Sequence, residues 1–156
     1  MNTGIVWIMI IANIVVSYKG LTNQAFYDGY KFEVDRVLLN KDYKRLVTSG
    51  FLHISWTQLV FSMLSLCFFS GAVAASLGAG KFLVIYFASL LGGNLFCLFV
   101  HRNHGEYTSV GASGAVCGVI FASIALFPGM GITLFPLPIS VPNWIFGIFF
   151  VAYAIY

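Results

Sequence analysis

Apolar positions fall in five long blocks along the chain, and polar positions gather between them. The blocks run from Gly4 to about Ser17 (to Tyr18 at most), from Ser55 to Leu77, from Phe82 to Val100, from Ser113 to Phe127, and from Trp144 to Tyr156. The hydrocarbon layer is roughly 30 Å thick and takes about 20 helical residues to cross. The second and third blocks meet that length. The fourth, at about 15 residues, reaches only roughly 22 Å. If one end of that helix sits at a membrane face, its first turn, at Ser113, lies several ångströms inside the other.

The connections are equally distinctive. Gly78-Ala79-Gly80-Lys81 predicts a tight turn, and His101 to Glu106 a polar loop. Pro128 and Gly129 end the fourth block, while Pro136, Pro138 and Pro142 predict an irregular link to the fifth. Residues 19–50 form a first loop holding six of the eight basic and four of the five acidic residues. Its Phe26, Tyr27, Tyr30, Phe32 and Tyr43 are interspersed with those charges, a mixture suited to a folded loop at headgroup depth. The last block stops without a cap or charge, so the chain reads as cut off in mid-helix.

Composition agrees. Of 156 residues, 60% are hydrophobic and 8% charged, against about 25% charged in soluble domains. The expected fold class is therefore an all-α, polytopic membrane helix bundle: one domain over residues 1–156, C-terminally incomplete, with five spans present. A net charge of +3 supplies no basic field for nucleic acid. Cys67, Cys97 and Cys117 lie within apolar blocks at irregular spacing, which predicts neither a disulfide nor a metal site. His101 and His104 share a short loop with no third ligand nearby, so no metal is expected there either. No cofactor is implied.

Candidate chemistry centres on Gly111-Ala112-Ser113-Gly114-Ala115. A serine at the start of a short helix within a membrane is a functional candidate, because polar groups there are costly; as a small packing residue it would be equally in place. Gly114, Gly118, Ala122 and Ala125 make a small-residue stripe that lets neighbouring helices approach, so this helix should be central, with Ser113 facing a wet pocket. In the second block Gln58, Ser62 and Ser65 recur along one helical stripe, preceded by His53. Gln58 and Ser62 carry donors suited to a developing oxyanion. Such side chains also serve as interhelical glue, and Ser62 and Ser65 can bond carbonyls of their own helix.

The run Tyr43-Lys44-Arg45-Leu46-Val47-Thr48-Ser49-Gly50-Phe51-Leu52-His53, the tract Trp56 to Leu66, the glycine-rich turn to Lys81 and Gly111 to Gly118 occur in the order seen in rhomboid intramembrane serine proteases. From about Tyr43 to Tyr156 the chain resembles that family. The resemblance implies a bundle of six or more helices around a water-accessible cavity, with Ser113 as the nucleophile attacking a scissile carbonyl of a transmembrane protein substrate. It also implies that a histidine on a sixth helix acts as general base. Ser113, Gln58 and Ser62 then stabilise the oxyanion. Gly111, Gly114, Arg45 and His53 match motif positions with structural roles.

The chain departs from the pattern in four places. Gln58 and Ser62 stand where a histidine and an asparagine are usual; both still donate hydrogen bonds. Ala74 replaces a glutamate that commonly ends the second helix, which reads as the loss of an anchor for the first loop. No histidine follows His104, so the sixth helix and its base are missing. The expected function is thus an intramembrane serine endopeptidase acting through a Ser-His dyad, the alternative being a catalytically inactive homologue that binds membrane helices. The expected location is the inner membrane of a bacterium, as a multi-pass protein. The first and third loops carry most of the Lys and Arg, which the positive-inside rule assigns to the cytoplasm, whereas the resemblance assigns them to the opposite face.

Overall fold

Eight helices and two small hairpin-like pairings make up the described residues, 3–133 and 139–155, of a computed structural model. Helix α1 (Gly4–Thr22) runs about a turn beyond its apolar block. Lys19 does not end it, because its ammonium reaches over the ring of Phe26 (5.6 Å) while its stem stays on the helix. The first loop is largely structured: α2 (Gln24–Tyr30), strand β1 (Phe32–Glu33), α3 (Val34–Leu38), α4 (Arg45–Thr48) and a 3-10 turn at Ser49–Phe51. Asn23 caps α2 by accepting the Phe26 N–H at 3.0 Å.

Helices α5 (Trp56–Leu77) and α6 (Ala79–His101) are the long central pair. Ser55 caps α5, accepting the Gln58 N–H at 3.1 Å. The four-residue turn expected between them shrinks to Gly78 alone, whose φ of +85° lets one residue reverse the chain. Strand β2 (Thr108–Ser109) pairs antiparallel with β1, Phe32 opposite Ser109 and Glu33 opposite Thr108, tying the first loop to the α6–α7 connection. Helix α7 (Ser113–Leu126) follows, then β3 (Gly131–Thr133), β4 (Ser140–Pro142) and α8 (Asn143–Ile155). The β3–β4 pairing replaces the irregular link expected there, Pro142 terminating β4 opposite Gly131; Pro136 and Pro138 lie outside the described residues.

Three helices, α1, α5 and α6, are long and apolar enough to cross a membrane; α7 and α8, at 14 and 13 residues, are shorter. The architecture is the expected all-α membrane bundle, and α7 is central to it. A side chain at Gly118 would run into that of Ser89, and the Cβ of one at Gly114 would lie 3.4 Å from the Ser89 carbonyl. On the other side Gly147 of α8 sits against Ile120 and Ile124. The small-residue stripe therefore seats α7 on α6, where backbone proximity replaces side-chain bulk. A polar tie inside the bundle joins α1 to α6: the Asn13 amide donates to the Tyr86 hydroxyl at 3.0 Å.

Ala74 needs a correction. It is fully buried in the main core, 18 residues past Trp56, or roughly 27 Å along α5. The first loop packs at the other end of that helix, so a glutamate at this position would not reach it. Arg45 and Asn94 hold the loop instead. Asn94 on α6 donates to the Leu46 carbonyl (2.7 Å) and to the Ser49 hydroxyl (3.2 Å).

Candidate active site

Gly111 has φ of +133°, a conformation that side chains disfavour, and its N–H donates to the Ser49 carbonyl at 3.0 Å. A Cβ there would also lie 2.8 Å from the Gln58 amide nitrogen. Ala112, fully buried, then turns the chain into α7, and Ser113 is the first helical residue. No side chain caps this helix. The early N–H groups of a helix lack partners within it and carry its positive dipole end.

Ser113 is recessed. Gly93 faces Gly114, whose Cα would lie 3.7 Å from a Cβ placed on Gly93, whereas α6 continues eight residues further to His101. The helix carrying Ser113 thus starts roughly 12 Å below that end of α6. Two cavities border the serine. One, of about 240 Å³, is lined by Ser55, Gln58, Ser62, Ser113, Phe150 and Tyr153, between α5 and α8. The other, of about 610 Å³, includes Gly93, Cys97, His101, Ser113, Cys117 and Ala154, among α6, α7 and α8.

The residues singled out from the sequence divide accordingly. Gln58 and Ser62 share the smaller cavity with Ser113, Ser62 being buried and Gln58 half-buried. Part of the Gln58 amide is already engaged: its oxygen accepts the Ile54 N–H (2.9 Å) and its nitrogen donates to the Val110 carbonyl at a long 3.4 Å. Ser65 bonds the Phe61 carbonyl of its own helix at 2.9 Å and takes no part in the cavity. Arg45 is buried in the first loop, donating to Asp42 and to the Asp28 and Lys31 carbonyls. His101 borders the larger cavity but lies a further two turns along α6, its ring stacked 3.6 Å from that of Tyr107. His104 lies beyond it, 6.0 Å from His101 between ring centroids.

His53 is fully buried. Its Nδ1 lies 2.7 Å from the Ser17 hydroxyl, and its Nε2 accepts the Ala112 N–H at 3.4 Å. Ser17, on α1, is a partner of His53 that the sequence pattern does not single out. Its only signal is a lone serine in the last third of an apolar block. Burial pushes His53 down to about 4 from an ordinary value of 6.5, so the neutral ring belongs to the fold. With a folded value below the unfolded one, this stabilisation is complete above about pH 6.5 and is lost as pH falls toward 4. The difference corresponds to roughly 3 kcal/mol. Thermal unfolding in detergent is expected to weaken between pH 7.5 and 4.5 in the parent chain and to change much less in His53→Gln. Equal pH responses in the two would contradict this assignment.

The rhomboid domain model matches residues 40–156, three-quarters of the chain, and the chain belongs to the rhomboid family. Among curated relatives, it is 34% identical over 123 residues to the mitochondrial rhomboid protein 1 of Saccharomyces cerevisiae, covering 74% of this chain and 36% of that protein. It is 32% identical over 113 residues to the chloroplastic rhomboid-like protein 16 of Arabidopsis thaliana (62% and 35% covered). It is 33% identical over 90 residues to the putative rhomboid protease YdcA of Bacillus subtilis (56% and 44% covered). The chain spans little more than a third of the first two relatives. It is an integral membrane protein of a family that includes proteases.

Proposed function

We propose that this chain is the serine-bearing portion of an intramembrane serine endopeptidase that cuts transmembrane protein substrates. One observation carries the reading: Ser113 stands at an uncapped helix N-terminus, in a recess it shares with the donors of Gln58 and Ser62. In the proposed reaction the Ser113 oxygen attacks the scissile carbonyl carbon as its proton passes to a base. The C–O bond forms and the carbonyl pair becomes an oxyanion, held by the Ser113 N–H, Gln58 and Ser62. Collapse expels the amine with the proton returned by the base, and water releases the acyl group by the same steps.

The base is a histidine outside the three in this sequence. His53 is fixed by Ser17 and Ala112, and His101 and His104 lie too far along α6 and its loop. The cavity of about 610 Å³ beside Ser113 has room for a helix face carrying that histidine. We place the protein in a bacterial plasma membrane, a reading that two Bacillus subtilis relatives support, although other relatives are mitochondrial and chloroplastic. A second reading, a catalytically inactive homologue that binds membrane helices, draws on the partial engagement of the Gln58 amide.

A fluorophosphonate, whose phosphorus is attacked by an activated serine oxygen with loss of fluoride to give a phosphonate ester, separates the two in the full reading frame purified in detergent. The protease reading expects a single adduct mapping to Ser113 and a parallel loss of cleavage of a single-span substrate. Cleavage that continues with Ser113 unmodified would exclude it as nucleophile. No adduct and no cleavage, with the substrate helix still bound, would favour the inactive homologue.

A further inference from the structure

We propose that Ser17 of α1 and His53 form a positioning pair that sets the backbone entering Ser113, Ser17 acting by fixing which ring nitrogen of His53 carries the proton. The inference deepens the protease reading and rests on it for its kinetic consequence. The hydrogen bonds dictate the tautomer. A hydroxyl has one proton, and the Ser17 proton goes to the Phe51 carbonyl at 2.8 Å. The Ser17 oxygen, 2.7 Å from Nδ1, must then accept from an Nδ1–H. That leaves a lone pair on Nε2, and the Ala112 N–H points at it from 3.4 Å.

Ser17, His53 and Ala112 are all fully buried, so bulk solvent does not compete for these hydrogen bonds. The Ala112 peptide precedes the nucleophile directly. It follows a glycine at φ +133° and has ψ of 4°, so it sets the direction from which α7 starts. Loss of the Ser17 oxygen removes the reason for the proton to stay on Nδ1. The other tautomer would set an Nε2–H against the Ala112 N–H, donor facing donor, and the peptide would turn away. One link thus runs from α1 through the loop before α5 to the first turn of α7, along 36 and 59 residues of sequence separation.

The test uses the full-length protein in detergent with four forms: parent, Ser17→Ala, His53→Gln, and the double variant. Glutamine offers an oxygen acceptor without a tautomer to control. Ser17→Ala is expected to lower kcat roughly tenfold to a hundredfold, with KM little changed, because a shift of about an ångström at the nucleophile has that scale. Fluorophosphonate labelling of Ser113 should slow in proportion, and amide exchange at Ala112 and Ser113 should quicken about tenfold. In the His53→Gln background the same Ser17→Ala change should have little further effect. Full, additive losses in both backgrounds would reduce Ser17 to a packing residue and overturn the proposal, as would unchanged exchange and labelling in folded Ser17→Ala. If the parent neither labels nor cleaves, the protease reading falls, and exchange at Ala112 decides the pair by itself.

Discussion

Ser113→Ala, made in the full reading frame, is expected to cut cleavage of a single-span substrate by about 10⁴-fold or more. Removing the nucleophile of a serine hydrolase leaves only the oxyanion donors and substrate binding, which retain a small residue of the rate. The fold should barely notice. The Ser113 hydroxyl makes no hydrogen bond among the described residues, the residue is half-buried beside two cavities, and alanine is the best helix former. A change in unfolding free energy within about 0.5 kcal/mol is therefore expected alongside the kinetic collapse. That combination sets this serine apart from one whose job is packing, such as the fully buried Ser123. An alanine variant cleaving at the parent rate would end the assignment, and one that fails to fold would show the hydroxyl to be structural.

Much of the bundle is legible in the sequence because the membrane imposes a coarse rule. Backbone groups in hydrocarbon must bond within their own helix, so the apolar blocks at Ser55–Leu77 and Phe82–Val100 return as α5 and α6 within a few residues. The central seat of α7 is legible for a similar reason: Gly114 and Gly118 at spacing four have little to offer lipid and much to offer a neighbouring backbone. Boundaries are less legible where a side chain can serve two environments. Lys19 looks like the end of α1 until its stem is allowed to lie along the helix and its charge to reach Phe26.

What stays hidden depends on the register between helices. Gln58, Ser62 and Ser65 share a stripe on paper, yet one turn decides that Ser65 bonds its own helix while Ser62 faces the recess of Ser113. Asn94 and Asn13 each lie in a long apolar block, and their partners, Leu46 and Tyr86, are 48 and 73 residues away. No periodicity encodes such distances. Ala74 differs for the opposite reason: it lies roughly 27 Å along α5 from Trp56, at the end away from the first loop, a distance set by the rise of the helix alone.

The second large effect is expected at Arg45. Its side chain is 6% exposed, with Nε donating to Asp42 at 2.8 Å and one terminal nitrogen to the carbonyls of Asp28 (3.0 Å) and Lys31 (2.7 Å). These bonds join the end of α2, the start of β1 and the turn before α4, beside a small buried cluster of Phe32, Val34 and Val37. Arg45→Met keeps most of the side-chain volume and removes every donor. It leaves two carbonyls without their partner and the partly exposed Asp42 carboxylate with only Lys44, 3.7 Å away, a loss of about 2 kcal/mol or more that comes chiefly from the unsatisfied carbonyls. Arg45→Lys should recover only part, since an ammonium cannot span the three acceptors as a planar fork does. Thermal unfolding in detergent measures the first effect, and trypsin cleavage between Asn23 and Phe51 reports whether the loop opens before the bundle. The damage should also reach the serine, because Ser49, four residues on, accepts the Gly111 N–H that shapes the entry to α7. A methionine variant as stable as the parent, with an equally protected loop, would mean that β1–β2 pairing and Asn94 hold this segment without the guanidinium.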